Sequence, residues 1–127
     1  MYDIVIFGGT GDLSLRKLLP SLYYLLKEAK EPQENRIVCI SRTPLERVDF
    51  LLRVKEKLEY FIGDNFNPSD WEKFETILSY IDIEFSGNEG WDKLYNFIHS
   101  MDHQDKRDII YHLSVPPALF TPICKQL

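Results

Sequence analysis

The segment Ile4-Val5-Ile6-Phe7-Gly8-Gly9-Thr10-Gly11-Asp12-Leu13-Ser14 constrains this chain more than any other, because four consecutive apolar residues run straight into a glycine-rich turn. Such a run fits a strand covered on both faces of a parallel sheet better than the alternation of a half-exposed strand. Gly8, Gly9 and Gly11 strip the turn of every Cβ but that of Thr10, which leaves main-chain N–H groups open to close approach. A helix opening directly after the turn adds unpaired N–H groups and the positive end of its dipole, and the two together cradle phosphate. Ser14 is small enough for helix and strand to pack closely. Glycine turns also occur without ligands; the strand before and the helix after favour a nucleotide here.

The rest of the chain alternates strands and helices. Leu18, Leu22, Leu25, Leu26 and Ala29 form one apolar stripe. Pro20 inside it removes a donor, which predicts a kink or separate first turn, with the main helix continuing from Pro20 or Ser21. A surface connection over 30–36 leads to a second strand over 37–41. Residues 45–62 read as a helix through Val48, Leu51, Leu52, Leu58, Phe61 and Ile62, ended by Gly63. Residues 67–70 offer caps for a short helix carrying Trp71, Phe74 and Leu78. Ile81, Ile83 and Phe85 alternate with Asp82 and Glu84, as a strand toward a sheet edge would. After a turn over 86–90, Trp91, Leu94, Tyr95, Ile98 and Met101 mark a helix, and 102–107 a charged loop. A strand over 108–113 is stopped by Pro116-Pro117, which open a last short helix. This order predicts an α/β, Rossmann-like, doubly wound and mainly parallel sheet with right-handed crossovers and helices on both faces.

At 127 residues the chain holds about one domain. A formal net charge of −5 argues against broad nucleic-acid binding, although Arg16, Lys17 and Arg42 leave room for a local basic site. Cys39 in a buried strand and Cys124 in a helix read as reduced thiols, which implies a cytoplasmic setting. No apolar run approaches the roughly 18 residues of a membrane span, and no signal-peptide pattern precedes the first strand. His99, His103 and His112 lack metal-ligand spacing, so no metal is expected.

Gly8-Gly9-Thr10-Gly11-Asp12-Leu13, followed by Arg16-Lys17-Leu18-Leu19-Pro20, resembles the opening of the glucose-6-phosphate dehydrogenase family, with its basic residues and proline inside the helix. Ile110-Tyr111-His112-Leu113-Ser114-Val115-Pro116-Pro117 resembles that family's aromatic strand ending in a double proline, and Val38-Cys39-Ile40-Ser41-Arg42 its second strand ending in a basic residue. The family's R-I-D-H-Y-L-G-K and E-K-P motifs do not occur. The resemblance therefore implies that residues 1–127 are an incomplete NADP-binding domain, the amino-terminal part of a longer enzyme that oxidises glucose 6-phosphate to 6-phosphogluconolactone. It also implies a homo-oligomer for that enzyme, and catalytic residues, a histidine oriented by an aspartate, outside this chain. The chain alone is expected to bind coenzyme weakly and to catalyse nothing.

In open α/β sheets ligands lie beyond the carboxyl ends of the strands, where strand order reverses. That brings together Gly8 to Leu13, Ser41 to Thr43 and Ser114 to Pro117. Gly8, Gly9, Thr10, Gly11 and Leu13 would border the pyrophosphate, while Asp12 either caps the helix start, the favoured reading, or contacts the nucleotide directly. NAD-preferring domains carry an acid at the end of strand two, whereas a 2′-phosphate requires a cation and small donors. Ser41, Arg42 and Thr43, with no acid until Glu46, favour NADP. Arg42 also has the planar group to stack on adenine, or can simply face solvent. Its distance from the glycine turn exceeds the roughly twenty residues of the usual fingerprint, an excess that the long helix and connection absorb. Ser114, Val115 and Pro116 would pass near the nicotinamide or simply end the strand. On the residues alone Lys17 reads as a solvated helix residue; the resemblance assigns it to the substrate's phosphate, although Leu15 stands where many members have a further basic residue. Two other readings are a freestanding nucleotide-binding or sensing module, and, ranked last, a sugar-nucleotide epimerase, whose Tyr-x-x-x-Lys pair occurs here only as Tyr23 and Lys27 in the first helix.

Overall fold

Four short strands pair in parallel in a computed structural model that describes residues 2–8, 14–28, 35–85, 90–99 and 108–127. They are β1 (Tyr2–Phe7), β2 (Arg36–Ser41), β3 (Leu78–Asp82) and β4 (Asp108–Leu113), in the order β3-β2-β1-β4. The two central strands bury alternate residues in opposite layers. Ile6, Ile37 and Cys39 pack with α1 (Leu19–Glu28), α2 (Arg47–Ile62) and α3 (Pro68–Ile77). Val5, Phe7, Val38 and Ile40 pack with α4 (Trp91–Ile98) and α5 (Phe120–Gln126), joined by Ile83 and Phe85. The continuous apolar runs thus serve both faces of a doubly wound sheet, as the sequence predicts.

Pro20 does open the helix in two parts. A wide turn of i→i+5 type over Ser14–Leu18 precedes α1, and the Ser21 hydroxyl donates to the Lys17 carbonyl at 2.8 Å. One extra residue in a turn rotates everything after it by about 100°. The fully buried positions are Leu19 and Tyr23, while Leu18 and Leu22 of the predicted stripe are half-buried against the same core, Leu25 is exposed, and Ala29 lies outside the described residues. In α2 the buried row is Phe50, Val54, Leu58 and Ile62, a clean four-residue spacing. Val48, Leu52 and Phe61, read from the sequence as facing inward, are exposed, because a helix cannot turn both rows to one sheet. Gly63 ends α2, and Asn67 caps α3 through its side-chain oxygen, which accepts from Ser69 N at 2.8 Å.

Two further boundaries differ from expectation. Leu78 is not the end of α3 but the first residue of β3, paired with Ile37 without an intervening loop. Its spacing from Trp71 and Phe74 suits a helix equally well, and main-chain pairing with β2 decides the matter. β3 lies at the edge as predicted, while Ile83 and Phe85 pack beyond its end, tied back by Ile83 N donating to Ser41 O at 2.9 Å. Arg36 belongs to β2 rather than to the preceding connection. Its guanidinium grips buried Asp3 of β1 through two hydrogen bonds, Nε to Oδ1 at 2.8 Å and Nη2 to Oδ2 at 2.6 Å, and lies 4.3 Å from the Phe97 ring centre. A carboxylate at 1 % exposure needs such a partner. The predicted connection at 30–34, most of the turn at 86–90 and the loop at 102–107 lie outside the described residues.

Candidate dinucleotide site

Strand order reverses between β1 and β4: the chain steps outward from β1 to β2 to β3, then crosses to the other side of β1. The crevice beyond that reversal is where open α/β sheets bind ligands. Two of the three predicted segments, at Gly8 and Ser114, meet there, and Ser41 to Thr43 follow Ile40 at the end of the neighbouring β2. Gly8 N donates to Ile40 O at 2.6 Å, and Ser114 N donates to Phe7 O at 2.8 Å. Gly8 has φ +85°, and a Cβ on it would lie 2.2 Å from Ser114 O and 3.1 Å from Val115 Cγ1. Only a glycine allows the end of β1 to press against the segment after β4 in this way. The Ser114 hydroxyl is buried and has no hydrogen-bond partner among the described residues, an uncommon state for a buried polar atom. Bare main chain meets an unsatisfied hydroxyl at this junction, and a polar ligand fits over it, beyond the strand ends, rather than between the two segments. Gly9, Thr10, Gly11, Asp12 and Leu13 lie outside the described residues, so the glycine turn contributes Gly8 alone to this geometry. Pro116 is exposed, and Pro117 opens the short 3₁₀ turn Pro117–Leu119 that leads into α5.

The end of β2 is held by a closed ring of hydrogen bonds. Thr43 N–H donates to Ser41 Oγ at 3.2 Å, the Ser41 hydroxyl lies 2.6 Å from the Tyr80 hydroxyl, and Tyr80 in turn donates to the Thr43 carbonyl. With Tyr80 donating onward, Ser41 must donate to Tyr80, so every proton in the ring is placed. Burial, the largest influence, pushes the Tyr80 phenol above its ordinary value against the pull of Ser41, so it remains a donor at neutral pH. The Ser41 proton is thus engaged by Tyr80, while Arg42 and Thr43 are exposed. Arg42 borders a cleft of about 350 Å³ shared with Asp82, Glu84, Gly90, Asp92 and Lys93. Lys93 Nζ sits 3.1 Å from Asp82 Oδ1. Sequence reasoning found no acid near Arg42 before Glu46 and missed these, because β3 and α4 bring them in from far along the chain. The buried alternation around Asp82 and Glu84 was their only signal.

Lys17 is exposed in the wide turn that opens the first helix. Since that helix runs back from the end of β1, its start lies on the carboxyl side of the sheet. His112 is half-buried in β4, His99 caps α4 with its ring stacked on Tyr95, and His103 lies outside the described residues. Among the described residues no acidic, histidine or cysteine cluster could hold a metal, and no helix is long and apolar enough to cross a membrane. Cys39 is buried and Cys124 exposed, both as free thiols.

A family model described as glucose-6-phosphate dehydrogenase, NAD binding domain, matches residues 5–127. The glucose-6-phosphate 1-dehydrogenases of Dickeya dadantii and Gluconobacter oxydans are similar, at 35% and 36% identity over 98% and 99% of this chain. The chain spans about a quarter of their length, 25% and 26%. Among solved structures, glucose-6-phosphate 1-dehydrogenase from Mycobacterium avium superposes over 99% of this chain and 26% of its own, with a TM-score of 0.82 at 25% identity. A glucose-6-phosphate dehydrogenase in complex with its substrate glucose-6-phosphate gives a TM-score of 0.83 at 26% identity, over the same shares of the two chains.

Proposed function

This chain belongs to the glucose-6-phosphate dehydrogenase family, and from that premise we propose that it binds NADP⁺ for an enzyme that oxidises glucose 6-phosphate to 6-phosphogluconolactone. Bound NADP⁺ supplies the hydride acceptor. Gly8, Gly9, Thr10, Gly11, Asp12 and Leu13 are assigned to the pyrophosphate end of the coenzyme. Ser114, Val115 and Pro116 lie beside the nicotinamide. Arg42 takes the 2′-phosphate, with Ser41 and Thr43 forming its turn, and Lys17 meets the phosphate of the substrate. The observation that carries the reading is the junction of Gly8 with Ser114 at the strand-order reversal, where a Cβ finds no room and the Ser114 hydroxyl has no described partner.

The choice of NADP over NAD rests on Arg42. Among the described residues, Asp82, Glu84 and Asp92 share its cleft with Lys93 as the one other cation, so their charges do not sum to a positive field. Selectivity then depends on a direct guanidinium contact rather than on long-range attraction. The proton-abstracting groups belong to the whole enzyme, which we assign to the cytoplasm as a homo-oligomer; Cys39 and Cys124 as free thiols agree with that compartment.

Calorimetric titration with each coenzyme tests the reading. Folded protein takes up NADP⁺ more tightly than NAD⁺, and Arg42→Ala weakens NADP⁺ by about tenfold while leaving NAD⁺ within about twofold, the size expected for one charge-assisted contact. Absence of binding by folded protein overturns the dinucleotide assignment. Equal losses for both coenzymes remove Arg42 from the phosphate.

A further inference from the structure

We propose, resting on that role for Arg42, that Tyr80 is a positioning residue for coenzyme choice: its hydroxyl sets the turn at the end of β2 and so the direction in which Arg42 meets a ribose 2′-phosphate. Tyr80 stands on the neighbouring strand, its Cα paired with Cys39, two residues before Ser41. Its ring is wedged against Phe50 of α2, with centroids 5.0 Å apart, and Phe50 is itself fully buried. The phenol is therefore a fixed post, not a swinging side chain.

From that post two bonds reach the turn. The Ser41 hydroxyl lies 2.6 Å from it and the Thr43 carbonyl accepts from it, while Thr43 N–H closes the ring on Ser41 at 3.2 Å. The residues on either side of Arg42 are thereby tied to the sheet. The Arg42 side chain, exposed above the cleft, makes no hydrogen bond or ion pair among the described residues. A guanidinium recognises phosphate through a planar fork and gains from being aimed, so fixing its main chain at both ends limits the directions it samples. Without the phenolic oxygen, the Ser41 proton and the Thr43 carbonyl turn to water and the turn loosens. The guanidinium then meets the 2′-phosphate less well, and that phosphate is what tells the two coenzymes apart.

The test is a double-mutant cycle of Tyr80→Phe and Arg42→Ala in the full-length polypeptide, with equilibrium dissociation constants for NADP⁺ and NAD⁺ as the readout. Tyr80→Phe keeps the ring and its packing, and retained NAD⁺ binding reports that the protein is folded. The expected result is a rise of about fivefold in the NADP⁺ constant, with NAD⁺ within about twofold, and less than about twofold further change for Tyr80→Phe in the Arg42→Ala background. Ser41→Ala, which opens the same ring elsewhere, should also lower selectivity. Parallel losses for the two coenzymes, or a full additional loss on top of Arg42→Ala, overturn the positioning role. An unchanged NADP⁺ constant in Tyr80→Phe, while Arg42→Ala still loses selectivity, refutes Tyr80 and spares Arg42. If Arg42→Ala leaves the coenzyme ratio untouched, the phosphate assignment itself fails and the inference goes with it.

Discussion

Gly8 and Tyr80 illustrate the two ways single residues shape this site. Gly8 was legible in the sequence as a glycine at the end of an apolar strand, and its necessity is steric: a positive φ and a carbonyl 2.2 Å from where a Cβ would stand. Gly8→Ala should therefore destabilise the fold by about 2–4 kcal/mol, since it adds backbone strain to a clash with main-chain atoms. A urea midpoint shifted by less than the equivalent of about 1 kcal/mol would mean that the segment after β4 can retreat. Tyr80 was not legible. Nothing in a linear pattern says that a tyrosine on the third strand will close a hydrogen-bonded ring with a serine and a threonine 39 and 37 positions earlier. The acids around Arg42 escaped notice for the same reason.

The helices and strands themselves were readable where period and punctuation agree. Asn67 and Pro68 mark the start of α3, and the Tyr23 hydroxyl reinforces that corner by accepting from Asn67 N at 3.1 Å. Asn67→Ala removes the cap acceptor while leaving the bond to Tyr23, so the cost should be about 1 kcal/mol, seen as a modest fall in the unfolding midpoint with an unchanged slope. A loss several times larger would show that the side chain also organises the Tyr23 contact. Legibility failed where two periods competed. Leu78 satisfied a helical stripe and a buried strand start equally, and only pairing with Ile37 separated them. In α1 the extra residue of the wide turn shifted the phase, turning Leu25 outward. No count of apolar spacing foresees that rotation.

For the molecule as a whole, burial on both sides of the sheet has an electrostatic cost at high pH. Burial pushes the Cys39 thiol from 9.0 up to about 12, and Tyr80 and Tyr111 are also raised mainly by burial. Between pH 9 and 12 the folded state holds a proton on Cys39 that the unfolded chain releases, so stability must fall as pH rises through that window and is unaffected below it. The slope due to Cys39 approaches about 1.4 kcal/mol per pH unit. Urea unfolding from pH 8 to 10.5 should show this decline, and Cys39→Ala, though less stable at neutrality, should decline less steeply by about one proton. Identical slopes would exclude Cys39 as the source. At the amino end of the same sheet, Asp3 and Arg36 fix which residue of β1 faces which residue of β2. A slip of one position would strand a lone carboxylate in the interior and send Val5 and Phe7 to the wrong layer, so the sheet has a single workable alignment. That anchoring carries through to the opposite end of the two strands: with β1 and β2 aligned, Gly8 N–H arrives at the Ile40 carbonyl every time the chain folds, and the mouth of the crevice on this side needs no ligand to shape it.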